Sequence, residues 1–123
     1  MAKNEKELVF TRRVLGPKAS DRLQKHLVTQ TLRSKPILIG PMPVRLRFPG
    51  GGSNALGNVR ITSSDRVKWS DLTLEDPHRG GFDDMAELSA ALRRAGFRFK
   101  PLEEYSFYRI RFAWQGRETV KAR

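Results

Sequence analysis

Residues 44–48 alternate strictly, with Val44, Leu46 and Phe48 on one side of the chain and Arg45 and Arg47 on the other. A period of two is the signature of extended backbone, so the segment predicts a strand with one buried face and a row of arginines on the other. The pattern returns at 58–67, with Val59 and Ile61 inward and Arg60 and Thr62 outward. It returns again at 105–114, where Tyr108, Ile110, Phe112 and Trp114 oppose Arg109 and Arg111. The first two segments flank a glycine-rich stretch at 49–57 and are expected to pair as a hairpin, with Arg45, Arg47 and Arg60 on one sheet face. The glycine stretch lacks the Gly-Lys-Ser/Thr of a phosphate loop and leads into a strand, so a hairpin tip is the expected role.

A further strand is expected at 8–14, stopped by Gly16 and Pro17. A short first helix should follow, capped by Ser20, with Asp21 at its positive end and Leu23 and Leu27 as its apolar stripe. Residues 28–35 read as a loop or extended segment, and 37–39 as a short apolar run closed by Gly40 and Pro41. The second helix is expected at 84–95: Asp83 or Asp84 caps it, Glu87 completes a capping box, Met85, Leu88 and Leu92 form its stripe, and Gly96 ends it. The fold class is therefore α+β, with two helices, in one domain at 8–114 between a charged N-terminal extension (1–7) and a basic C-terminal tail (115–123). A chain of 123 residues suits one core.

The chain has no cysteine, and its two histidines, His26 and His78, are far apart in sequence, so neither a metal site nor a cofactor is expected. No apolar run approaches the roughly 18 residues of a membrane span, which points to a cytoplasmic protein without a membrane partner. Twenty-four Lys and Arg against thirteen Asp and Glu give a net charge of +11, a field that draws polyanions. The charge is uneven. Residues 65–90 hold seven acids and three bases, so a basic face should stand against a neutral or acidic flank, with RNA or a nucleotide as the partner.

If residues 29–33 are extended, Thr29, Thr31 and Arg33 fall on one side, a row able to bind a phosphate or a base edge. The same residues could equally satisfy local backbone groups in a solvated loop. Lys18, Lys25, Lys35, Arg45, Arg47 and Arg60 are the candidate phosphate contacts. Phe97, Phe99, Phe107 and Trp69 have no assigned core position, and any one exposed beside the basic face is a candidate for stacking on bases. The adjacent pairs Asp83/Asp84 and Glu103/Glu104 point in different directions and do not make an acid/base dyad. No residue is singled out as catalytic.

The run Thr29-Gln30-Thr31-Leu32-Arg33, the later Trp69-Ser70-Asp71-Leu72-Thr73, the pair Gly81-Phe82 and the helix after it resemble ASCH domains. In that family the corresponding segment reads Lys-Thr-x-Thr-x-Arg. The resemblance covers roughly residues 8–114 and implies a small PUA-like β-barrel with a cleft beside the first helix. Members of the family include RNA-binding modules, an amidohydrolase acting on N4-acetylcytidine, and ribonucleases. Where amidohydrolase-like members carry a catalytic Lys and Glu, this chain has Val28 and Gly80. The resemblance thus implies an RNA- or nucleotide-binding module more than an enzyme. Its rivals are an amidohydrolase or ribonuclease with relocated groups, Lys25 or Asp76 among them, and a small component of a ribonucleoprotein or phage assembly.

Overall fold

A computed structural model describes residues 7–115. The N-terminal extension and basic tail expected at the termini lie outside these residues, except for Glu7 and Gln115. In chain order the elements are β1 (Leu8–Thr11), α1 (Arg12–Gln24), β2 (Gln30–Arg33), β3 (Gly40–Arg47), β4 (Ser53–Lys68), α2 (Glu75–Arg79), α3 (Met85–Arg94) and β5 (Ser106–Trp114), with single 3₁₀ turns before α2 and before β5. The five strands form one curled mixed sheet in the order β1-β3-β4-β5-β2, a half-barrel. β1 runs parallel to β3, and the other pairs are antiparallel. The hairpin of β3 and β4 is as expected, although its turn is tighter: Phe48 accepts from Gly51 N–H at 3.2 Å and donates to Gly52 O at 2.8 Å.

Two apolar clusters lie on opposite faces of the sheet. Leu8, Phe10, Val44, Leu46, Val59, Ile61, Ile110 and Phe112 fill the inside of the curl, joined by Leu23 and Val28. Val67 and Phe107 instead meet Phe82, Leu88, Ala91 and Leu92 beneath α3. Odd-numbered Ile61 and Val67 reach different clusters because a register shift between Ile61 and Ser63 inserts one extra residue in β4. A bulge exchanges the two faces of a strand, and here it lets one strand serve both cores. Beyond it, Arg109 and Arg111 share the face of Phe107, the face that α2 and α3 cover.

Several local expectations are corrected. β1 ends at Thr11, and 12–15 turn into helix, because Leu15 packs against both clusters and Arg94 Nε donates to Val14 O at 2.9 Å. Gly16, at φ +85°, kinks α1, and Pro17 restarts it with a φ suited to a first helical turn. Ser20 is no cap: it is buried inside α1, and its hydroxyl has no hydrogen-bond partner among the described residues. Leu27 lies beyond the helix and is 61% exposed, so Ala19 and Leu23 carry the buried stripe. Residues 28–35 take the extended one of the two expected forms, as β2, while α2 makes a third helix where two were expected. The cap of α3 is as read, with Asp84 Oδ1 accepting from Glu87 N–H at 2.9 Å.

Gly81 is the tightest point between these layers. Its φ is +95°, and a Cβ there would stand 2.9 Å from Val28 Cγ2 and 3.4 Å from Ala19 Cβ. Gly81→Ala should therefore combine left-handed backbone strain with overpacking and destabilise the fold by about 2–4 kcal/mol. Urea unfolding of the variant checks this; a loss below roughly 1 kcal/mol would show that α1 and α2 are not packed so closely.

Candidate functional site

β1 and β2 are the two edges of the half-barrel and do not pair with each other. Between them a cavity of about 290 Å³ opens, at the small end of the ligand-pocket range. β1 and β2 form its sides, α1 and α3 cover it with Leu15, Leu88 and Leu92, and Phe97 just after α3 adds to the cover. The Arg33 guanidinium crosses the seam: Nη2 donates to Val9 O at 2.9 Å, Nε donates to Thr31 Oγ1 at 3.1 Å, and the group lies 4.9 Å from the Phe10 ring centre. The edge strands are thus joined by a side chain where a closed barrel would use backbone pairing.

The polar end of the cavity is a buried network. Asp76 and Gln30 are each 2% exposed, and both line the cavity. Gln30 Nε2 donates to Asp76 Oδ1 at 2.8 Å, and Arg111 Nε donates to Gln30 Oε1 at 2.8 Å. Arg109 Nη1 donates to the same Asp76 oxygen at 3.3 Å, while Thr73 N–H donates to Oδ2 at 2.8 Å. The two arginines on the face opposite Ile110 and Phe112 therefore neutralise a carboxylate delivered by α2. Gln30 is fixed in orientation by an acceptor at one end and a donor at the other, so the cavity floor presents a defined pattern of polar groups.

The expected site residues divide. Thr31 and Arg33 line the cavity; Thr29 does not, since its N–H donates to Arg79 O at 2.8 Å and its carbonyl accepts from Phe112 at 3.0 Å. Lys18 is held between Asp83 and Glu87, and Arg22 also reaches Asp83 at 2.8 Å. Lys25 pairs with Asp21, and Arg45 with Glu7. Arg47, Arg60 and Lys35 are exposed, with no side-chain hydrogen bond or ion pair among the described residues. The outward hairpin face, expected to build the cleft, lies beside it: Arg45 and Arg47 are the register partners of Val9 and Thr11, which line the cavity.

Arg12 and Arg13, missed in the sequence, follow Thr11 directly and are exposed without a side-chain partner among the described residues. Lys35 follows Ser34 on the opposite side of the opening. Among the described residues the start of α1 therefore carries cations without side-chain partners, while Lys18 and Arg22 further along it are paired with Asp83 and Glu87. Among the described residues no group of three or more His, Cys, Asp or Glu could hold a metal ion, and no helix is long and apolar enough to cross a membrane. No family model, curated protein or solved structure matches this chain.

The α1–α3 bridge is titratable. Hydrogen bonds from Lys18 and Arg22 hold Asp83 below the usual carboxylate range, and Glu87 is lowered by the Asp83 N–H and then by Lys18. Lys18 is raised by the same two acids. Lowered carboxylates stabilise above their ordinary values of 3.8 and 4.5, and that contribution disappears as pH falls through their lower folded values. Wild type should therefore melt above Asp83→Asn at neutral pH, with the gap closing as pH falls below the ordinary value of 3.8; a gap unchanged by acid would disprove the bridge.

Asp76 gives a separate test. Asp76→Ala leaves Arg109, Arg111 and Gln30 without their shared acceptor and should cost about 3 kcal/mol by denaturant unfolding, the low end for a buried pair because both arginines keep some solvent contact. A neutral result would mean that water already replaces the carboxylate.

Proposed function

We propose that this protein binds RNA or a nucleotide at the β1–β2 seam, with a base in the cavity and phosphates on the cations around it. The observation that carries this reading is the pairing of an apolar-walled cavity and polar floor with Arg12, Arg13, Lys35 and Arg47 next to its opening, none of which has a side-chain partner among the described residues. A planar ring suits walls of Leu92 and Phe97, and Gln30 with Asp76 offers hydrogen bonds to its edge. The half-barrel is taken as an open member of the PUA-like class, and the ASCH resemblance of the Thr29–Arg33 run supports the same choice. Cytoplasmic location is the matching proposal.

Binding is favoured over amidohydrolase chemistry. No lysine or histidine is among the described residues that line the cavity, Val28 is buried in the inner core, and Gly80 lines the cavity without a side chain. Asp76 is engaged by Gln30, Arg109 and the Thr73 N–H, which fix it as an acceptor. Lys25, a candidate replacement for the missing lysine, is absent from the cavity and paired with Asp21.

The test is fluorescence anisotropy with a labelled single-stranded RNA across about 50–200 mM salt. Log K should fall linearly with log salt, and replacing Arg12, Arg13 and Arg47 together by alanine should reduce the slope by about 2, three contacts at roughly 0.7 each. Arg66→Ala, outside the cavity lining, should leave the slope within about 0.3 of wild type. Equal effects of the triple variant and Arg66→Ala would sink the reading.

A further inference from the structure

Of the four aromatics without an assigned core position, three are placed by packing. Phe107 is fully buried, Trp69 packs against the outer cluster, and Phe97 is half-buried between Tyr105 and Phe107 while lining the cavity. Phe99 is 88% exposed, the most exposed of the large apolar side chains among the described residues. Leaving a phenylalanine in water forgoes the stabilisation its burial would bring.

The backbone that carries Phe99 is nevertheless tied down. Arg93 Nη1 donates to Phe97 O at 2.9 Å and to Lys100 O at 2.8 Å, spanning the loop from inside. The Phe99 N–H donates to the Tyr105 hydroxyl at 3.0 Å, and Lys100 Nζ lies 4.9 Å from the Tyr105 ring centre. The loop is therefore held in one shape with its ring turned outward. Residues 93–100 contain four bases (Arg93, Arg94, Arg98 and Lys100) and no acid. Arg98 is exposed, and its side chain has no hydrogen bond or ion pair among the described residues.

We propose that Phe99 is a stacking platform for a base of single-stranded RNA, flanked by Arg98 and Lys100 as phosphate contacts and placed two residues from the cavity-lining Phe97. A bare aromatic face between cations is what unpaired bases bind: every base has a π-face, and the charges hold the backbone. An acidic protein partner would also meet the charges, but it would need apolar bulk from residue 99 and not its ring. The proposal rests on the nucleic-acid reading of the seam and extends that site by at least one nucleotide outside the cavity.

The test compares Phe99→Ala, Phe99→Leu and Phe99→Trp by anisotropy with a single-stranded RNA 12-mer, a duplex of the same sequence, and a single nucleoside monophosphate. Phe99→Ala and Phe99→Leu should weaken single-strand binding about tenfold, while Phe99→Trp should match or exceed wild type. Duplex and mononucleotide binding should change less than about twofold, because stacked bases offer no free face and the mononucleotide occupies the cavity alone. Melting temperatures should stay at the wild-type value, since the ring packs on nothing. Retention of full single-strand affinity by Phe99→Ala, or by Phe99→Leu, would overturn the platform while leaving the seam site standing. Loss of mononucleotide binding in wild type would instead count against the seam, and a single-strand effect that persists there would support the platform alone.

Discussion

A carboxylate withdrawn from water must be compensated by the groups around it, and in this protein that constraint is centred on Asp76. Its partners come from three places: Gln30 on β2, Arg109 and Arg111 on β5, and the Thr73 N–H in the approach to α2. Satisfying one ion thus fixes an edge strand against its neighbour and seats the shortest helix on the sheet. The same network is the floor of the seam cavity, so the group that demands compensation also defines what a ligand meets. Arg33 completes the frame from the other side by joining β2 to the carbonyl of Val9.

The strands were legible because alternation survives any packing partner: Val44, Leu46, Val59, Ile61, Ile110 and Phe112 all point into the core. Alternation cannot say what covers the opposite face. Arg109 and Arg111 therefore read like Arg45 and Arg47, although the first two meet a buried carboxylate and Arg47 meets solvent. The bulge after Ile61 was equally silent, since Val67 is apolar and fits either face. α2 was missed because five residues containing Pro77 carry neither a helical stripe nor strong propensity; tertiary contacts of Asp76 and Pro77 hold it. Ser20 looked like a cap by residue type, yet the true restart of α1 is set by Gly16 and Pro17.

Within the candidate site, Thr31 and Arg33 were legible from an extended row of polar residues, and Gln30, just before Thr31, was hidden by alternation on the opposite face of β2. Cations could be counted in the sequence, but their availability could not. Lys18, Lys25 and Arg45 are paired with acids, whereas Arg12 and Arg13, which the sequence placed inside a strand, sit beside the cavity without a side-chain partner among the described residues. The acidic stretch at 65–90 accounts for part of this sorting. Asp83 and Glu87 absorb the charge of Lys18 and Arg22 along α1, leaving the seam flank basic.

The central claim is that a base enters the seam cavity between β2 and α3. Intermolecular nuclear Overhauser effects on the ¹³C-labelled protein with a saturating ribonucleoside monophosphate test it most directly. The account predicts cross-peaks from the aromatic protons of the base to Leu32, Leu92 and Phe97, residues that line the cavity on three different elements. Cross-peaks confined to exposed residues such as Leu38 and Ile39, with none to these three, would contradict it.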